Sequence, residues 1–321
     1  GTRKSDAIVA VQSDYYGDPR MRRRTLINGT IQELDVTGND SSDSLALAEY
    51  LDWAFQTFDA EHWAVIVVGH SGRINEISPD DRTSSHKFRT WMRVDRFASE
   101  VSRLNQLTNG KVELLFFQNC NKATLEVFYE AKNCARCTLA SQLLLGAPNY
   151  YYEGFLERLN EPSVRGREAA IAIMQSERPE MYHTLTLVDN QAVAQIPEWL
   201  SPIVERLSHQ NFAEFDRSNP PIVNYADEQH CDLLAFINSF FNDGDREIEG
   251  FADFLKTSVI LEYVTRDNFL EPHYLSYENI DDFCGISLYL PQLKEAISRY
   301  DSMALYQDID WVSLYNKIWL S

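Results

Sequence analysis

The chain has 321 residues and a mass of 37.0 kDa, enough for one large domain or one domain with an appendage. Apolar residues make up 44%, so a sizeable core can form. Twenty-nine basic residues against 48 acidic ones leave a net charge of −19, which excludes a generic nucleic-acid or anionic-membrane binder, since both need a basic face. Ala64–Gly69 and Leu143–Ala147 are among the longest apolar runs, far short of the ~18–20 residues that span a bilayer. Gly1–Asp6 is polar and does not read as a signal peptide. Five cysteines, Cys120, Cys134, Cys137, Cys231 and Cys284, are too few and odd in number for a disulfide scaffold. Cys134 and Cys137 form a lone C-x-x-C without a second pair, which reads as buried structural thiols.

The first half alternates strand and helix. Ala7–Gln12 reads as a short β-branched strand. Arg20, Arg22, Arg23 and Arg24 form a basic cluster, either a processing or self-inhibitory segment or, more plainly, a solvated face pairing with surface acids. Asp43–Phe58 has helical apolar spacing, with Ser41, Ser42 and Asp43 available as N-caps. Trp63–Val68 is a continuous apolar run, expected as a strand buried on both faces. Gly69–Thr90 reads as loop, Trp91–Leu107 as helix, Asn109-Gly110 as turn and Val112–Phe117 as a second buried strand. Ala123–Lys132 reads as helix and Thr138–Leu143 as strand. Beyond a weak boundary at Glu161-Pro162, helices are expected over Val164–Ser176, Gln191–Gln210, Gln229–Phe241 and Glu247–Tyr263, with strands at His183–Val188 and Gly285–Leu290. Ser218–Pro221 reads as a turn.

This alternation predicts an α/β fold with a mostly parallel sheet flanked by helices, whose ligand site lies beyond the carboxyl ends of the strands. Gly69-His70-Ser71-Gly72 follows one apolar strand and Gln118-Asn119-Cys120 the other, so parallel neighbours would bring His70 and Cys120 to one sheet edge. A thiol and an imidazole there can form a nucleophilic pair, with backbone N–H groups stabilising the oxyanion. The 50-residue His-to-Cys separation equals that of caspases. On these residues alone the pair reads more often as two structural side chains than as a catalytic one. No histidine makes an i,i+4 metal pair and no D-x-D-x-D-G loop is present, so no metal or other cofactor is expected.

Asn119-Cys120 leads into Asn121–Lys132 (NKATLEVFYEAK) and Leu139-Ala140-Ser141, and Gly285–Pro291 reads GISLYLP. Together with Leu34–Ala54, Ala60–Trp63 and the aromatic segment from Ile309 to Ile318, this pattern resembles the clostripain family of caspase-fold cysteine peptidases over nearly the whole chain. The resemblance implies a catalytic core over residues 1–160. It implies a more helical part over 161–321 that returns strand 285–290 to the core within one continuous domain. It implies a His70/Cys120 dyad hydrolysing peptide bonds through a thioacyl-enzyme. The oxyanion hole would come from the N–H groups of Cys120 and of Ser71 or Gly72. Three departures stand out. Gln118 replaces the family's Asp, and Gly146–Tyr150 carries no acid. Ser71 replaces a glycine after the histidine, and the family's opening strand has no counterpart. A basic P1 side chain needs a carboxylate partner, so the expected P1 preference is not strict Arg/Lys. Gln118, Asn149 and Tyr150 are the expected substrate contacts. The implied partners are a protein or peptide substrate and an activating protease. The alternatives are a pseudo-protease that binds a peptide or partner, and a latent effector protease of a proteolytic cascade. The low cysteine content fits a reducing cytoplasm, which it favours slightly over export with the signal already removed.

Overall fold

The computed structural model describes residues 2, 6–15, 18–36, 38–81, 88–161, 164–210, 212, 222–241, 244–266 and 283–320. Strands β1 (Val9–Ser13), β2 (Arg22–Ile27) and β3 (Thr30–Leu34) form an antiparallel sheet of their own. Asn28 and Gly29 both take positive φ between β2 and β3, the conformation of a tight hairpin turn. The arginine cluster lies in and beside β2. Arg22 pairs with Asp18 and Glu33, Arg24 with Glu33, and Arg23 lies 4.7 Å from the Trp53 ring. This is the paired surface face, built into regular structure.

Helix α1 (Ser44–Thr57) begins where expected, with the Asp43 carboxylate accepting from Leu45 N. Strand β4 (Trp63–Val68) follows. The segment expected as loop contains a hairpin of β5 (Glu76–Asp80) and β6 (Thr90–Arg93), and helix α2 (Val94–Leu107) starts after it. Then come β7 (Val112–Gln118), α3 (Leu125–Glu130) capped by Thr124, and β8 (Cys137–Ala140). The remaining elements are α4 (Tyr152–Arg158), α5 (Gly166–Ser176), β9 (Thr184–Asp189), α6 (Asn190–Val193), α7 (Ile196–Leu207), β10 (Ile222–Tyr225), β11 (Glu228–Asp232), α8 (Leu233–Asn238), α9 (Arg246–Phe254), β12 (Ile260–Thr265), β13 (Ser287–Leu290), α10 (Ala304–Asp308) and α11 (Trp311–Leu320).

The main sheet has the order β12-β9-β8-β7-β4. The β4–β7 and β7–β8 pairs are parallel, whereas β8–β9 and β9–β12 are antiparallel. Strand β7 shows why a continuous apolar run was needed. Leu115 and Phe117 enter the larger core cluster with α2 and α7, while Leu114 and Phe116 enter a second cluster with α5 on the opposite face. Cys134 and Cys137 are buried in these two different clusters, so they share no site. Strand β4 departs from expectation. Among the described residues it is an edge strand, with Ala64 exposed and Val68 56% exposed, because it has a partner only on the β7 side.

Three helical expectations are corrected. Residues 229–241 split into β11 and α8. Ala226 and Asp227 take positive φ and turn β10 back as β11, and Asp232 then caps α8. The helix from Arg246 ends in a π-turn at Leu255–Val259, and the β-branched run beyond it becomes β12 against β9. Residues 191–210 form two helices, α6 and α7, broken at Ala194-Gln195. Strand β13 pairs with β11 rather than with the main sheet, and Ser287 N donates to Ala123 O beside the start of α3. The larger cluster contains residues from both halves of the chain, including Val101, Phe128, Ile203, Phe251 and Trp311. Ser218–Pro221 lies outside the described residues.

Candidate active site

The parallel register places the two chemically loaded segments together. Val68 pairs with Gln118, and Gly69 N donates to Gln118 O at 3.5 Å, so the chain leaves β4 and β7 at the same level. His70 and Cys120 each stand two residues beyond that pair. Gly69 turns the chain with φ +147°, a conformation that a side chain would strain. The buried Asn119 then bridges the two exits, its Nδ2 donating to Gly69 O at 2.8 Å and to His70 O at 3.5 Å. The His70 side chain is exposed. Cys120 is half-buried, and its Sγ accepts from Leu145 N at 3.4 Å.

The loop after His70 is heavily tethered. Ser71 Oγ donates to Cys120 O at 2.6 Å, and Ser71 O accepts from Tyr225 Oη at 2.8 Å. Gly72 N donates to Glu76 O at 3.1 Å, closing a turn in which the Glu76 carboxylate accepts from Arg73 N. A Cβ on Gly72 would lie 2.3 Å from Glu76 Oε2 and 3.0 Å from the Trp91 ring, so any side chain there must displace the Glu76 carboxylate that holds the turn. Lys122, fully buried two residues after Cys120, donates from Nζ to Arg73 O at 2.7 Å and Ile74 O at 3.0 Å. Glu228 accepts from Ile74 N at 2.9 Å. Burial pushes the Lys122 ammonium down to about 7 and the Tyr225 phenol up to about 12.

Past Leu145, whose N–H meets the Cys120 thiol, lies a recess of about 10 Å³, lined by Gln118, Leu145, Asn149, Tyr151, Glu177 and Tyr182 among others. That volume holds at most a water molecule. Tyr151 fills the space. It is 1% exposed and donates to Gln118 Oε1, and burial holds its phenol well above the ordinary range. Of the three expected substrate contacts, Gln118 and Asn149 line this recess. Tyr150 turns outward instead, stacked under Arg178 at 3.6 Å, while its N–H donates to Glu177. Sequence reasoning missed Glu177, Lys122, Tyr225 and Glu228. Lys122 lies inside the Asn121–Lys132 block, which gives it no role, the other three belong to no motif, and Tyr225 stands 154 positions from the Ser71 it contacts. Among the described residues no group of three His, Cys, Asp or Glu side chains could hold a metal ion.

A family model, "Clostripain family", matches residues 4–319. No curated protein matches the chain significantly. Among solved structures, an inactive zymogen C11 protease from Parabacteroides distasonis superposes with a TM-score of 0.72 at 15% identity, covering 96% of this chain and 90% of that one. A secreted C11 cysteine protease from Bacteroides thetaiotaomicron, in complex with an irreversible peptide inhibitor, gives a TM-score of 0.68 at 15% identity, with 95% and 89% covered. A clostripain from the same organism, also holding a peptide inhibitor, gives 0.51 at 18% identity, with 67% and 93% covered. These likenesses fix the caspase-like α/β fold, and with the match over nearly all its length the chain belongs to the clostripain family of cysteine peptidases.

Proposed function

We propose that this chain cleaves peptide bonds with Cys120 as nucleophile and His70 as general acid/base. The observation that carries the reading is the Val68–Gln118 register, reinforced by the Asn119 bridge, which brings both residues to one end of the parallel strands. The Cys120 thiolate attacks the scissile carbonyl carbon and forms a tetrahedral oxyanion. The imidazolium of His70 protonates the departing amine, leaving a thioester on Cys120. Water, deprotonated by His70, then attacks the thioester and releases the carboxylic product and the thiol. The N–H groups of Cys120 and Ser71 serve as oxyanion donors. Gly72 instead gives its N–H to Glu76 O and shapes the turn.

The recess beside Cys120 is the P1 site in this reading. Gln118, Asn149 and Tyr151 present amide and hydroxyl groups there, and Glu177 lines it too while accepting from Tyr150 N. Gln118 and the acid-free Gly146–Tyr150 segment support a P1 preference other than strict Arg/Lys, with Glu177 the carboxylate that a basic P1 side chain would meet. The closed recess also favours a second reading, a latent form whose Tyr151 must move before substrate enters. The relatives bound to peptide inhibitors support peptides as the substrate class. The test is cleavage of a P1-diverse peptide library by the chain and by Cys120→Ala. Cleavage lost in the mutant is the expected result. Turnover retained by the mutant overturns the assignment, and cleavage after Arg or Lys alone overturns the P1 reading.

A further inference from the structure

We infer that Lys122, Glu228 and Tyr225 are positioning residues that hold the His70 loop at the working distance from Cys120, an inference that rests on the dyad reading above. Residue 74 is gripped at both of its backbone polar groups. Lys122 Nζ donates to Ile74 O at 3.0 Å and to Arg73 O at 2.7 Å, and Glu228 Oε2 accepts from Ile74 N at 2.9 Å. Residue 71 is gripped from two directions as well, by the Tyr225 hydroxyl on its carbonyl at 2.8 Å and by its own Oγ on Cys120 O at 2.6 Å.

A fully buried lysine is costly, and an apolar side chain of the same length would pack there without that cost. What lysine supplies and the apolar chain does not is a pair of donors aimed at two loop carbonyls, Ile74 O and Arg73 O, the second of which also accepts from Glu76 N. Glu228 is itself fixed from behind, its Oε1 accepting from Arg299 at 3.1 Å and from Tyr300. The grip therefore runs from the C-terminal segment at Lys294–Tyr300, through β11, to the loop beyond β4. The His70 ring is exposed and has little packing of its own, so its place is set by the backbone on either side of it. Asn119 holds that backbone on the strand side, and these three residues hold it on the other. Strands β10 and β11, outside the half of the chain that carries His70 and Cys120, thus complete the catalytic geometry.

The test compares wild type, Lys122→Met and Tyr225→Phe in the full chain, with Cys120→Ala as control. Two readouts are used: kcat and KM on the best library peptide, and the pH profile of Cys120 alkylation by iodoacetamide. A misplacement of about 1 Å costs about 10²-fold in rate, so Lys122→Met is expected to lower kcat about 100-fold and Tyr225→Phe about 10-fold, each with KM within about twofold. The alkylation profile is expected to shift from that of wild type in both variants, because the imidazole that assists the thiol is displaced. Tyr225→Phe removes one oxygen from a half-buried ring and carries the test alone if Lys122→Met does not fold. Wild-type kcat and an unmoved alkylation profile in a folded variant overturn the inference while leaving the dyad standing. A wild type that shows no Cys120-dependent cleavage and alkylates as a free thiol removes the dyad reading, and this inference with it. For a chain that cleaves no library peptide, the shift of the alkylation profile between wild type and variants decides in the same way.

Discussion

The two sides of Cys120 are built on opposite principles. On the His70 side, residues 69–76 are held by a polar lattice, with Asn119, Ser71, Tyr225, Lys122 and Glu228 each directed at a backbone group. On the recess side, Tyr151 packs edge-on against Phe116 and Phe155, and little free volume remains. Hydrogen bonds to backbone fix position within tenths of an ångström, as proton transfer requires. Aromatic packing fixes volume, and so decides which side chain enters. On the proposed reading, chemistry belongs to one wall and selectivity to the other. Mutations on the two sides should therefore fail differently, the first in kcat and the second in P1 profile.

The largest effect that would break this comparison is on the chemical wall. His70→Ala is expected to lower cleavage about 10²–10⁴-fold while leaving the thermal unfolding midpoint within a few degrees, since the ring is exposed. Gly72→Ala comes next. Its methyl collides with Glu76 and Trp91, so the turn shifts, and kcat should fall about tenfold with little change in P1 preference. On the selectivity wall, Tyr151→Ala should cost about 3–5 kcal/mol of stability in a denaturant titration and admit larger P1 side chains in the peptide library. If Tyr151→Ala changes kcat for all peptides equally, the division between walls is wrong.

The smallest effect concerns the core behind both walls. Glu126 is fully buried, and burial pushes its carboxyl up to about 7, although Tyr306 and Tyr289 N donate to it. The folded state then holds a proton that the unfolded chain has lost between about pH 4.5 and pH 7, so this group's stabilisation is present at low pH and lost as pH rises through that window. Glu126→Gln should flatten the fall in unfolding free energy across that range, measured by denaturant titration at several pH values.

Much of this arrangement could be read from residues, and the limits have physical causes. Trp63–Val68 and Val112–Phe117 were legible because strands in a parallel sheet need unbroken apolar runs, and the register that unites His70 and Cys120 follows from their being neighbours. The hairpin of β5 and β6 was not legible, because it is short, polar and half-exposed, with no alternation to betray it. Strand β12 was hidden because Ile260–Thr265 extends an amphipathic helical pattern, and only pairing with β9 decides its state. In the site, Gln118 and Asn149 were identified by their place in a motif, and both line the recess. Tyr151 directly follows the expected contact Tyr150 in the sequence, and burial alone separates the two. Nothing in the sequence singles out Lys122, and its burial under the loop is visible only in three dimensions. Glu228 and Tyr225 sit 154 positions from their partners at Ile74 and Ser71, a distance no local pattern spans.

The central claim is that acyl transfer occurs at Cys120 with His70 as its partner. The most direct measurement is intact-mass and peptide-mapping analysis of the chain after reaction with peptide electrophiles of varied P1. The account predicts a single adduct on Cys120 in wild type, no adduct in Cys120→Ala and much slower labelling in His70→Ala. Labelling that falls on the other half-buried thiol, Cys284, or that proceeds at the same rate without His70, would contradict it.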